Sequence, residues 1–133
     1  MIADSDPARD AELIEQYIVL EQSRDSDAAD SWPVEALRRI VPEEPGRAWL
    51  IIKALVRDSP DDLLPRIGVR ELEEFVALHG VKFISEIEAQ ARIDDGFRVA
   101  LGNVWISKGA FPLEIEARLV AASNGTLTVL GGG

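Results

Sequence analysis

Seven prolines, at positions 7, 33, 42, 45, 60, 65 and 112, do more than any other feature to limit what this 133-residue chain can fold into. Proline has a fixed φ and no backbone N–H. It is tolerated in the first turn of a helix and in loops, but not in the middle of long helices or central strands. Between the prolines the apolar residues recur at i, i+3 and i+4 instead of alternating. Together these two signals predict a succession of short helices.

Asp6-Pro7 opens the first helix, which runs to about Gln22 with Leu13, Ile14, Tyr17, Ile18 and Leu20 on one broad face. Ser23 to Asp30 is polar and reads as a loop. Ser31-Trp32-Pro33 starts a second helix carrying Val34, Leu37, Ile40 and Val41, which Pro42 ends. Pro45 opens a third, apolar almost all round through Trp49-Leu50-Ile51-Ile52, as expected of a central helix. Ser59-Pro60-Asp61-Asp62 is a further start signal, cut short by Pro65. Val69 to His79 predicts another helix with Gly80 at its C′ position, and Val81 to Ile93 the next. Phe97 to Trp105 reads as a short helix, and Pro112 to about Ala122 as the last, ended by Asn124-Gly125. Thr126 to Leu130 alternates and is rich in strand formers; it must pair within the chain, pair between chains or stay loose.

The predicted fold is therefore all-α. It is a compact irregular bundle or a stack of antiparallel helical hairpins, with seven to eight short helices in one domain over residues 1–125 and an extended tail over 126–133. Gly131-Gly133 superficially resembles a modifier tail, but a linker is the simpler account.

The chain has 14 Lys and Arg against 24 Asp and Glu, a net charge of −10, with one histidine and no cysteine. Disulfides, thiolate zinc sites, cysteine nucleophiles and multi-histidine metal sites are excluded. Residues 1–30 hold nine acids and two bases, a net of −7, which leaves −3 for the rest. This balance argues against nucleic acid or an anionic membrane as partner, and it suits a basic protein. No apolar run is long enough to span a bilayer and no signal peptide is evident, so a cytoplasmic location is the expectation.

Catalytic signals are absent. No phosphate-binding loop, dinucleotide fingerprint, nucleophile elbow or metalloprotease helix occurs. The acid pairs Glu43-Glu44, Asp61-Asp62, Glu73-Glu74 and Asp94-Asp95 are adjacent in sequence, and neighbours on a helix diverge too far to chelate. Asp94-Asp95-Gly96 lacks the later ligands of a calcium loop, while Glu86 and Glu88 read as solvated. His79, in the predicted last turn of a helix, suits the helix dipole there. Of the three tryptophans, Trp49 reads as core, whereas Trp32 and Trp105, at helix ends, are candidate anchors for a partner.

From Trp32 to Leu119 the order of anchors resembles a family of small uncharacterised bacterial helical domains. The resemblance is carried by Trp32, Pro42, Ala48-Trp49, Leu72-Glu73, His79-Gly80, Ile87-Glu88, Ala91, Arg118-Leu119 and, most specifically, Phe97-Arg98-x-Ala100-Leu101-x-x-Val104-Trp105. The Gly-Pro that precedes Leu-Glu in that family is Arg70-Glu71 here. The resemblance implies an α-helical fold and no known activity. It draws attention to Glu73, His79 and Arg98 as a convergent polar set near Trp49 or Trp105, with Glu73 and Arg98 as a buried ion pair. Two readings follow. The first is a non-enzymatic interaction module for a basic protein, of immunity or antidote type, with Trp32, Trp49, Glu73, His79, Arg98 and Trp105 as candidate binding residues. The alternative is a small enzyme or ligand binder with a cleft formed by Glu73, His79 and Arg98. Neither reading calls for a metal or cofactor.

Overall fold

Pro7 stands at the start of α1 (Pro7–Ser23), Pro33 in the first turn of α2 (Trp32–Glu43) and Pro45 at the first position of α3 (Pro45–Asp58). In each place the missing N–H would have had no intrahelical partner, so the ring costs nothing. The computed structural model describes residues 7–23 and 32–131, so the Asp6 cap, most of the predicted 23–30 loop and the last two glycines lie outside the described residues. The chain divides into two units, residues 1–59 and 60–133.

In the first unit α1, α2 and α3 pack against one another pairwise. Leu13 and Tyr17 of α1 are buried, and Ile14, Ile18 and Leu20 are half-buried, as the helical spacing predicts. On α3 seven of fourteen residues are buried, including Trp49, Ile51, Ile52 and Leu55; Leu50 alone among its large apolar residues is well exposed. Arg47 of α3 reaches Asp10 of α1 at 2.8 Å and Glu44 at 3.2 Å. Burial alone would depress the Arg47 pKa, but these two carboxylates outweigh it and raise it. Pro42 lies inside the final turn of α2 and the helix stops one residue later, close to the predicted end.

The second unit departs from expectation in its first third. Ser59, the last residue of the first unit, does not cap a new helix. It closes α3 by donating its N–H to the Leu55 carbonyl at 3.0 Å, and its hydroxyl has no hydrogen-bond partner among the described residues. A 3-10 turn (Asp61–Leu63), a single helical turn α4 (Leu64–Ile67), a π segment (Gly68–Leu72) and the long α5 (Glu73–Ile93) then follow without interruption. Pro65 does not cut this run because it falls in the first turn of α4, where no N–H is required. The predicted break at Gly80 is also absent. Gly80 is an interior residue of α5, and its lack of a side chain serves packing: a Cβ there would lie 3.2 Å from the Phe111 ring. Two predicted helices are thus one, which lowers the count.

Gly68 in the π segment has a similar role in sharper form. A Cβ at that position would collide with the Ala100 carbonyl oxygen and sit 3.0 Å from Asn103 Cβ. The glycine lets this run pass closely over α6 (Asp95–Gly102), with which it packs. Asp94 caps α6 by accepting the Phe97 N–H at 3.1 Å. The helix predicted to continue to Trp105 ends at Gly102. Asn103 and Val104 tighten onto the carbonyls of Ala100 and Leu101, and a side chain at Gly102 would strike Thr126. Trp105–Ser107 is instead strand β1.

α7 (Leu113–Ala122) packs along α5 and stops at Asn124 and Gly125, both with positive φ (58° and 79°). This is the left-handed stop that the Asn-Gly pair predicts. The buried Ser123 hydroxyl then accepts the Leu127 N–H at 3.0 Å and launches strand β2 (Thr128–Leu130). β2 pairs in parallel with β1 in the register Trp105↔Thr128, Ile106↔Val129 and Ser107↔Leu130. The tail therefore pairs within its own chain. The all-α class stands, with this small sheet added.

Candidate functional site

β1 is held on both sides. Thr128 donates its N–H to Val104 O at 3.1 Å, and Lys108 donates to Leu130 O at 2.8 Å. Residues 104 and 108 therefore turn their backbone toward β2, and the alternation of a parallel ladder turns Trp105 and Ser107 away from it. An outward edge of this kind is ordinarily open to further pairing. Here the Trp105 N–H is taken by Glu73 Oε1 at 2.8 Å, and the Ser107 carbonyl accepts the Ala110 N–H at 3.0 Å. The first residue of α5 thus fixes the first residue of β1.

The side chain of Trp105 stays 54% exposed while Ile106 beside it is buried. Residues in register across a parallel pair share a face, so Trp105 and Ser107 of β1 stand beside Thr128 and Leu130 of β2. Leu130 is exposed as well. An indole on a braced strand, with an exposed leucine diagonally across on the same face, is an arrangement that a partner's apolar pocket can grip.

The expected convergence of Glu73, His79 and Arg98 is not what the fold builds. Glu73 meets Trp105 through its backbone. Arg98 donates Nη1 to the Ala91 carbonyl at 2.7 Å and Nη2 to Asp95. Among the described residues the two form no pair: Glu73 is engaged by the Trp105 N–H and Arg98 by Ala91 and Asp95. His79 is not in a last turn. It lies in the interior of α5, in a stripe at four-residue spacing, with its ring centroid 5.2 Å from Phe75 and 6.3 Å from Phe83. It is half-buried, beside these two aromatic rings.

The remaining sequence candidates lie in the first unit. Trp49 is buried, with Lys53 Nζ 5.4 Å from its ring centroid, a cation–π pair. Trp32, at the start of α2, is 41% exposed. A hollow of about 350 Å³ lies along α1, lined by Ala11, Ile14, Ile18, Val19 and the Arg57–Asp58 pair among others. Arg57 Nε donates to Asp58 at 2.8 Å, and this bond holds the Asp58 carboxyl below its usual range. The walls are mostly aliphatic, with Glu15 as a further acid.

Sequence reasoning missed a second hollow, of about 220 Å³, lined by Glu88, Ala91, Arg92, Arg98, Ala121, Ala122 and Asn124. Glu88, read from sequence as solvated, is instead held by Arg118 through Nε at 2.9 Å and Nη2 at 2.6 Å. These bonds hold its carboxyl below the ordinary range. The four-residue spacing of Glu88 and Arg92 was visible in the sequence; their meeting with α7 was not. Asp94 and Asp95 serve α6, as its cap and as the partner of Arg98. Among the described residues no three His, Asp or Glu side chains gather as metal ligands, and no helix is long and apolar enough to cross a membrane.

A family model described as a family of unknown function, DUF6869, matches residues 20–127. The chain belongs to that family. No curated protein and no solved structure matches it significantly.

Proposed function

We propose that this DUF6869 member is a non-catalytic interaction module that grips a basic protein through Trp105. The observation that carries the reading is the pairing of opposites at one residue: a backbone pinned by Glu73 at 2.8 Å and an indole left more than half exposed. A rigid aromatic anchor loses little conformational freedom on binding, and hot spots are enriched in tryptophan for that reason. The net charge of −10, concentrated in residues 1–30, supplies long-range attraction for a basic surface. An antidote-type protein that covers a basic active site is the concrete form of this role. Of the cleft alternative's three residues, Arg98 lines the second hollow with Glu88 and Arg92, while Glu73 is engaged with the Trp105 N–H.

The test is capture from native lysate on the immobilised full chain, run beside Trp105→Ala and at low and high salt. A basic protein retained by the wild type, released by salt and lost with the variant supports the reading. Equal retention by the variant overturns it.

A further inference from the structure

The second hollow offers a site for which the interaction reading has no use. We propose that the space where the ends of α5 and α7 meet the start of α6 binds a small oxyanion, a phosphate or a carboxylate. The proposal stands apart from the protein-partner reading.

The charged residues lining the hollow are Arg92, Arg98 and Glu88, a net of +1 on a chain whose total is −10. Glu88 does not repel an anion with its full charge, because Arg118 engages both of its oxygens, at 2.6 and 2.9 Å. Glu114 also acts on Arg118, from outside the lining. Arg98 is fixed in place by the Ala91 carbonyl and by Asp95, which leaves its Nε–H without a hydrogen bond among the described residues. Arg92 is exposed and donates no hydrogen bond among the described residues; Glu88 is its electrostatic neighbour. The side-chain amide of Asn124 completes the lining, and it too is uncommitted.

The obvious objection is that helix C-termini repel anions. Here their carbonyls are largely spoken for. Gln90 O accepts from Asp94, Ala91 O from Arg98, Leu119 O from Ser123, Val120 O from Gly125 and Ala121 O from Asn124. What faces the space is then two guanidinium groups, an amide and one carboxylate, Glu88, whose oxygens are both engaged by Arg118. Guanidinium groups match oxyanions in geometry and charge. The volume is below the about 300–1,000 Å³ of drug-sized sites, which suits a small ion.

The experiment is titration of the full chain with inorganic phosphate and, separately, with succinate, using chloride at matched ionic strength as control. It is followed by NMR of the Arg Nε–H and Asn124 side-chain amide resonances. Saturable shifts at Arg92, Arg98 and Asn124 with phosphate, succinate or both are expected, and the stronger of the two identifies the oxyanion class. Arg92→Glu and Asn124→Asp are expected to weaken binding by about tenfold or more, with backbone spectra unchanged elsewhere. Equivalent shifts with chloride, non-saturating shifts, or wild-type affinity in both variants would overturn the proposal.

Discussion

Glu73 and Trp105 stand 32 residues apart in sequence and are joined by a 2.8 Å hydrogen bond from the Trp105 backbone N–H to Glu73 Oε1. A side chain at the start of the long helix thereby occupies the outward edge of a strand that would otherwise be open. Glu73→Ala removes the acceptor and is expected to lower stability by about 1–2 kcal/mol. Glu73→Gln retains an acceptor oxygen and is expected to lose roughly half as much. Urea unfolding measures the stability. Hydrogen exchange at the Trp105 amide, faster in the alanine variant, locates the effect.

Gly68 and Gly46 make opposite predictions from one substitution. At Gly68 a Cβ runs into the Ala100 carbonyl, a backbone atom that cannot swing aside, so Gly68→Ala is expected to cost about 2–3 kcal/mol. At Gly46, inside α3, nothing lies within 4 Å. Gly46→Ala is expected to stabilise by about 0.5 kcal/mol by restricting the unfolded chain. Thermal unfolding of the two variants tests both signs at once.

The Glu88–Arg118 pair predicts part of the acid limb of stability. Arg118 holds the Glu88 carboxyl below its ordinary value, mainly through its hydrogen bonds. A carboxyl more acidic in the folded than in the unfolded state contributes stability above the unfolded value of about 4.3. It loses that contribution as the pH falls through the lower, folded value. Glu88→Gln is expected to cost about 1 kcal/mol at neutral pH, the scale of a partly exposed pair, and to flatten the fall in acid. Denaturant unfolding across the acid range, compared with wild type, checks the sign.

The tail predicts a stability effect without an assembly effect. Leu127 is 5% exposed and β2 pairs with β1 of the same chain. Leu127→Ala is expected to cost about 2 kcal/mol. Removal of residues 126–133 is expected to destabilise the second unit and leave the mass in solution at that of the same oligomeric state as the full chain. Light scattering decides the second point, and a change of state would show that β2 also pairs between chains.

Much of the helical layout was legible because its signals are local. Pro7, Pro33 and Pro45 each mark a helix start within one residue, and Asn124-Gly125 marks a stop. The errors share one cause, which is that a local signal has two physical uses. Glycine can end a helix or admit a neighbour, and Gly80 does the second, against Phe111. The apolar spacing from Phe97 runs on to Trp105, but Thr126, more than twenty residues later, packs on Gly102 where the helix stops. The π segment has no mark in the apolar periodicity, and it packs on α6, which lies more than twenty residues further along the chain. Of the six candidate residues, Trp32 and Trp105 stand out in the sequence by their type and their predicted helix-end positions; both are exposed, and Trp105 lies on a strand. That Glu73 braces it, and that Arg98 joins Arg92 and Asn124, depends on contacts that periodicity does not contain.

The most direct test of the central claim is capture of a protein partner by the wild-type chain and by Trp105→Ala, side by side, at low and high salt. The account predicts a basic partner bound by the wild type, weakened by salt and lost with the alanine variant, while both proteins unfold at nearly the same denaturant concentration. Undiminished capture by the folded variant would contradict it.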